Sequence, residues 1–157
     1  MAENITITDA IRHFFEEHDW QYEFHEEEGF FESGLQLDSE LGGAMIHAVA
    51  GPEAFTVMIA PDIAVEEALF DNVREFINGV NARLMLGCLV LDTQESILFF
   101  RMGQNCIGQI PSSQIVEDAF MYPISFLEEI GDTLAALLTG KISAAEAGEQ
   151  ALPEEDA

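Results

Sequence analysis

Positive charge is what this chain has least of. Five basic residues (Arg12, Arg74, Arg83, Arg101 and Lys141) face 30 acidic ones, for a formal net charge of −25 and a pI near 4.1. A nucleic-acid binder neutralises phosphates with Lys and Arg, so that class is excluded, and anionic membrane surfaces are disfavoured on the same ground. Cysteine is scarce as well, at two residues. Cys88 and Cys106 form no CxxC pair, and both sit in apolar surroundings where free, buried thiols are the expected state. Long apolar runs are missing too: the longest, Leu84 to Leu91, is interrupted by Gly87 and is too short to cross a bilayer. Residues 1–20 include Glu3, Asp9, Glu16, Glu17 and Asp19 with no basic start. No secretory signal is expected, and the expected compartment is the cytoplasm.

Motifs that carry chemistry are equally thin. There is no GxSxG elbow, and Cys88 lies in an apolar strand that disfavours a thiolate. Gly29 and Gly34 have the outer spacing of a phosphate loop, but Leu35-Gln36 stands where Lys-Ser/Thr is required. No EF-hand loop is present. His13 and His18 are five apart and so do not share a helix edge. His25, beside Glu26-Glu27-Glu28, and His47 are the histidines that nearby carboxylates could turn into a divalent-metal or small-ligand site. The expectation is a chain without catalysis and without a cofactor; a ligand- or metal-responsive regulator is the alternative.

What is present is a core. Hydrophobic residues make up 48% of 157, enough for one domain. Thr8-Asp9 starts a helix carrying Ile11, Phe14 and Phe15. Alternation then predicts strands at Tyr22–Phe24, Phe31–Leu37, Gly43–Ala50 and Phe55–Ala60. After Asp62, a candidate N-cap, Val65, Leu69, Val73, Phe76, Val80 and Leu84 trace one helical face. Leu86–Leu91 and Ile97–Met102 read as a hairpin across Asp92–Ser96, with a short extended piece at Cys106–Ile110. Ser112-Ser113 caps a last helix with Val116, Phe120, Ile124, Leu127, Ile130, Leu134 and Leu138 on its apolar stripe. Pro123 predicts a kink or break within it, and Gly140 its end. Residues 1–140 form one domain, and 141–157 are expected as an acidic, mobile tail. The fold class is α+β, an antiparallel sheet with helices packed on one face.

One stretch is specific enough to compare. Phe76-Ile77-Asn78-Gly79-Val80-Asn81-Ala82-Arg83-Leu84 is a helix ending in an Asn-rich turn. Met85-Leu86-Gly87-Cys88-Leu89-Val90-Leu91-Asp92 follows, then Ile97-Leu98-Phe99-Phe100-Arg101. Together with Trp20-Gln21-Tyr22-Glu23-Phe24 these resemble the YbjN-like family of small bacterial proteins, over about residues 8 to 139. The resemblance implies a fold like the type III secretion chaperones, in the order α-β-β-β-α-β-β-α. It also implies a homodimer that holds partner segments through apolar grooves and strand addition, in a family often labelled sensory transduction regulators. The turn Thr93-Gln94-Glu95-Ser96 lacks the glycine common there, and Cys88 replaces a common aromatic.

The hairpin is apolar on both sides, which exceeds what one covered face needs. That excess is either ordinary core between the hairpin and the last helix, the more frequent case, or a dimer or partner surface at Phe99, Phe100, Met102, Phe120, Met121, Tyr122, Leu127 and Leu134. The expected partner is a protein, for which a basic or unfolded segment is one candidate; the acidic surface serves equally well to steer such a segment or to keep the chain soluble, as in a saline cytoplasm.

Overall fold

The computed structural model describes residues 5–151. Helix α1 (Ile7–Glu17) starts one residue before the expected Thr8. Thr6 is its N-cap and Asp9 the third helical residue of a reciprocal capping box. Four antiparallel strands follow, β1 (Glu23–His25), β2 (Phe30–Gln36), β3 (Gly43–Ala50) and β4 (Ala54–Pro61). A 3-10 turn at Glu67–Leu69 leads into α2 (Phe70–Asn81), then β5 (Cys88–Asp92), β6 (Ile97–Asn105), α3 (Ser113–Leu138) and α4 (Ala144–Ala151). The strands form a single six-stranded antiparallel sheet in the order β1-β2-β3-β4-β6-β5. The fold is α+β; the order implied by the family resemblance is extended by the short β1, which alternation places at Tyr22–Phe24, and by α4.

Alternation along each strand decides which side chains meet the helices. Phe31 on β2, Ala44, Ile46 and Ala48 on β3, Phe55, Val57 and Ile59 on β4, and Leu98, Phe100 and Met102 on β6 are all buried. Against them lie α3, on β4 and β6, and α2, beside β5, while α1 packs on α3. Phe14 stacks on Phe120 at 4.4 Å between ring centroids, and Phe15 meets Phe120 edge-on at 5.3 Å. The whole expected stripe of α3, from Val116 to Leu138, is in this core.

Several local expectations are corrected. Asp62 does not cap α2, whose N-cap is Leu69; Asp62 instead donates its backbone N–H to the Gly43 carbonyl. The chain between them is spent crossing from the end of β4, with Val65 buried on the way. The first hairpin strand starts at Cys88, because Gly87 adopts φ 73° and turns the chain there, leaving Met85 92% exposed. Cys106–Ile110 is a turn after a longer β6. Pro123 does not break α3, which runs through it from Ser113 to Leu138.

Of the segment 141–157, residues Ala144–Ala151 form a helix packed on α2 and α3, with Ala144 and Ala147 buried. Asn72 of α2 holds its start, donating to the Ile142 carbonyl at 3.3 Å and accepting from Ala144 N–H at 2.7 Å. Residues 152–157 lie outside the described residues. The loop joining β2 to β3 is tied to α3 by charge-assisted hydrogen bonds. Asp38 N–H donates to Glu128 Oε2 at 2.8 Å and Glu40 N–H to Asp132 Oδ1 at 2.9 Å.

Candidate functional site: the open face of the sheet

Among the described residues, the four helices lie to one side and no helix or strand covers the other face of the sheet. Its residues are those that alternate with the core: Met45, His47 and Val49 on β3, Thr56, Met58 and Ala60 on β4, Ile97, Phe99 and Arg101 on β6. Register draws them into rows. One row runs across all six strands as Glu23, Glu32, His47, Met58, Arg101 and Cys88. A second runs His25, Phe30, Val49, Thr56 and Gly103. The face is therefore apolar in the middle and charged towards β1.

A groove of about 580 Å³ occupies the end of this face nearest the β5–β6 turn. Met45, Met58, Ala60, Ile97 and Phe99 floor it, and Ile63 and Ala64 wall it where the chain leaves β4. Asp62, Asp92 and Glu95 stand on its rim. The turn that places Asp92 and Glu95 is built without glycine. Asp92 Oδ1 accepts from the backbone N–H groups of Gln94 (3.0 Å) and Glu95 (3.1 Å), and Ser96 takes the left-handed conformation at φ 58° that glycine takes more cheaply. A shallower depression of about 660 Å³ lies over β1 and β2, lined by Trp20, Glu23, Glu32 and Gly34 among others, and Met45 borders both.

The sheet's two edges are poor docking sites. On the outer side of β5, the Asn81 side chain takes the place of a neighbouring strand: Leu89 N–H donates to Asn81 Oδ1 at 2.8 Å, and Asn81 Nδ2 donates to the Leu89 carbonyl at 2.9 Å. That is what the Asn-rich end of α2 accomplishes. The opposite edge, β1, has three residues, two of them Glu23 and His25. Short, charged edge strands resist pairing. Strand addition thus has little purchase at either edge.

The eight residues expected at a partner surface are divided by this geometry. Phe100, Met102, Phe120, Leu127 and Leu134 are buried in the core of the single chain. Along β6, Phe100 and Met102 share the helix-facing parity; Phe100 packs on Tyr122 and Phe126 at 6.1 and 5.2 Å. Phe99, of opposite parity, is on the open face, while Met121 and Tyr122 lie on α3, Met121 37% exposed and Tyr122 half-buried. Missed by sequence reasoning were Met45, Met58 and Ala60. The signal was available in the strands themselves, since Gly43–Ala50 and Ala54–Pro61 have apolar residues at both parities, as the hairpin does.

Among the cysteines, Cys88 is half-buried and Cys106 buried; both are free, and burial pushes the Cys106 thiol above its ordinary pKa. The histidines separate as well. His13 pairs with Glu17 at 3.3 Å and His18 approaches Glu117 at 3.9 Å. His25 sits 3.1 Å from Glu32, whereas His47 stays exposed on the groove side, its ring edge on Phe30 at 5.5 Å.

Fold and site together define a small α+β protein with one helix-covered sheet face and one open apolar face. Residues 8–134 match the model of the YbjN family, described as "Putative bacterial sensory transduction regulator", and the chain belongs to that family. No curated protein matches it. Among the described residues, no helix is long and apolar enough to cross a membrane.

Proposed function

We propose that this chain is a non-enzymatic protein-binding module, chaperone-like or regulatory, that holds a partner polypeptide on the open face of its sheet. The observation that carries the reading is the groove: an apolar floor centred on Phe99, Met58 and Met45, rimmed by Asp62, Asp92 and Glu95. Such a site fits a segment with apolar anchors flanked by Lys or Arg, and the net charge of −25 steers basic segments towards it. Membership of a family described as a regulator supports action through contact rather than turnover. The homodimer is the second part of the proposal. It uses the outer side of α3, where Met121 leaves apolar surface, and light scattering on a size-exclusion column decides it, a monomer at micromolar concentration being the refuting result.

The binding test uses a fluorescein-labelled peptide of alternating Leu and Lys, followed by anisotropy. Phe99→Glu is expected to weaken it about tenfold or more, because a carboxylate replaces an apolar anchor. Gln109→Glu adds the same charge at an exposed turn and is expected to leave binding unchanged or slightly stronger. If both variants bind like the parent, charge alone attracts the peptide and the groove reading fails.

A further inference from the structure

At the β1 end of the open face, away from the groove floor, three side chains converge that the binding reading does not use. Phe24 points into the core, 4.5 Å from Phe31 and beneath the Arg12 guanidinium, so Glu23 and His25 on either side of it point out onto the open face. The ladder sets Glu23 directly opposite Glu32 on β2. The His25 ring is stacked on Phe30 at 4.4 Å, with an interplanar angle of 23°, which fixes its plane. Its Nε2 then lies 3.1 Å from Glu32 Oε2 and 4.0 Å from Glu23 Oε2, and one ligand atom from each residue falls within 4.8 Å of the other two.

We infer that Glu23, His25 and Glu32 form a binding site for a divalent cation of the zinc class. Two arguments that do not depend on each other lead there. The first is donor geometry. Zinc takes imidazole nitrogen and carboxylate oxygen at about 2.0–2.2 Å in tetrahedral sites, which puts neighbouring donor atoms about 3.3–3.6 Å apart. The His25–Glu32 separation is already close to this, and Glu23, 81% exposed at its side chain, needs only a small rotation to close the rest. One imidazole with two carboxylates selects a first-row ion over magnesium or calcium, which take oxygen donors alone.

The second argument is energetic. Like charges directly opposite in an antiparallel pair are destabilising, and Glu26, Glu27 and Glu28 in the adjoining turn add to the same field. Among the described residues, the ion pairs of Glu23 and Glu32 are with His25 alone, and an imidazole is a cation only when protonated. A bound dication relieves this repulsion with neutral His25 as a ligand. Three protein donors leave a fourth position to water or to a donor from a bound partner.

Isothermal titration of the full chain with zinc chloride in a non-chelating buffer tests the site. One equivalent is expected to bind, with magnesium chloride unable to compete. His25→Ala and Glu32→Gln are each expected to weaken zinc by about tenfold or more, while His47→Ala, on the neighbouring strand, stays within about threefold of the parent. Circular dichroism melts in the absence of zinc verify that the variants remain folded. For a variant that does not fold, line broadening by manganese in the NMR spectrum of the parent supplies the answer, with broadening confined to residues 23–25 and 30–32 expected. Zinc affinity unaffected by either substitution, or broadening spread over the acidic surface, overturns the assignment.

Discussion

Replacing Asn81 by alanine removes both hydrogen bonds that close the outer side of β5. Leu89, whose backbone N–H donates one and whose carbonyl accepts the other, is 2% exposed, and the two bonds are short at 2.8 and 2.9 Å. A net intramolecular hydrogen bond is worth about 0.5–1.5 kcal/mol, and a buried group left without a partner costs about 1–3 kcal/mol. Two bonds to one residue, in a partly buried setting where water can reach the vacated space, give an expected loss of about 1.5–3 kcal/mol. For a chain of this length that corresponds to a fall in Tm of roughly 4–10 °C. Asn78→Ala, one turn earlier on the same helix and exposed, is the matched control and is expected to stay within about 0.5 kcal/mol of the parent. Urea unfolding measures both. Hydrogen exchange adds a local readout, because the Leu89 amide should lose protection in Asn81→Ala before its neighbours in β6 do. A loss below about 0.5 kcal/mol, or an unaltered Leu89 amide, refutes the view that Asn81 stands in for a strand.

Other perturbations follow from the same contacts. Gly131→Ala drives a Cβ into the Ser39 side chain on the β2–β3 loop and is expected to cost about 1–3 kcal/mol in chemical denaturation, part of it recovered by combining it with Ser39→Gly. Iodoacetamide should label half-buried Cys88 in the native protein while buried Cys106 reacts only after unfolding, which mass spectrometry of the alkylated peptides resolves. The Asp9 carboxyl is held below its ordinary value of 3.8 by hydrogen bonds from the backbone and then the side chain of Thr6. Its folded-state pKa being depressed, the contribution is complete above the unfolded value and is lost as pH falls through the folded one. The Tm difference between the parent and Asp9→Ala should therefore be constant near neutrality and shrink below about pH 4.

Much of this architecture is legible in the residues. Steps of three and four along Val73, Phe76 and Val80, and along the α3 stripe, locate helices because tertiary packing demands one buried face. The hairpin's double-sided apolarity also shows that something beyond one covered face is present. What periodicity does not supply is parity: whether Phe99 or Phe100 turns to the helices depends on the β4–β6 register, a long-range pairing of Ile59 with Phe100. Nor does it show that Asn81 reaches Leu89, or that Asn72 holds α4. Both are contacts between side chain and backbone that leave no periodic trace.

The position of the acids bears on what the open face can do. Hydrophobic residues exposed on a sheet face invite a second copy as readily as a client. Here, however, two chains of −25 that met face to face would also bring Asp62, Asp92 and Glu95 of one groove rim near those of the other, in a setting with less water to screen them. A basic segment meets the same rim with the opposite sign of interaction. Under the proposed binding mode, added salt is expected to weaken a basic peptide and to favour self-association through this face, which anisotropy and light scattering at about 0.05 and 0.5 M salt would read as opposite trends. Of the five basic residues in the chain, Arg101 lies on the open face on β6, one strand in from the β5 edge, on the row with His47 and Met58, and it has no ion pair among the described residues. If the proposed groove binds a partner, its charge pattern favours a segment of opposite sign over a second copy of this chain, since the acidic rim repels its own kind.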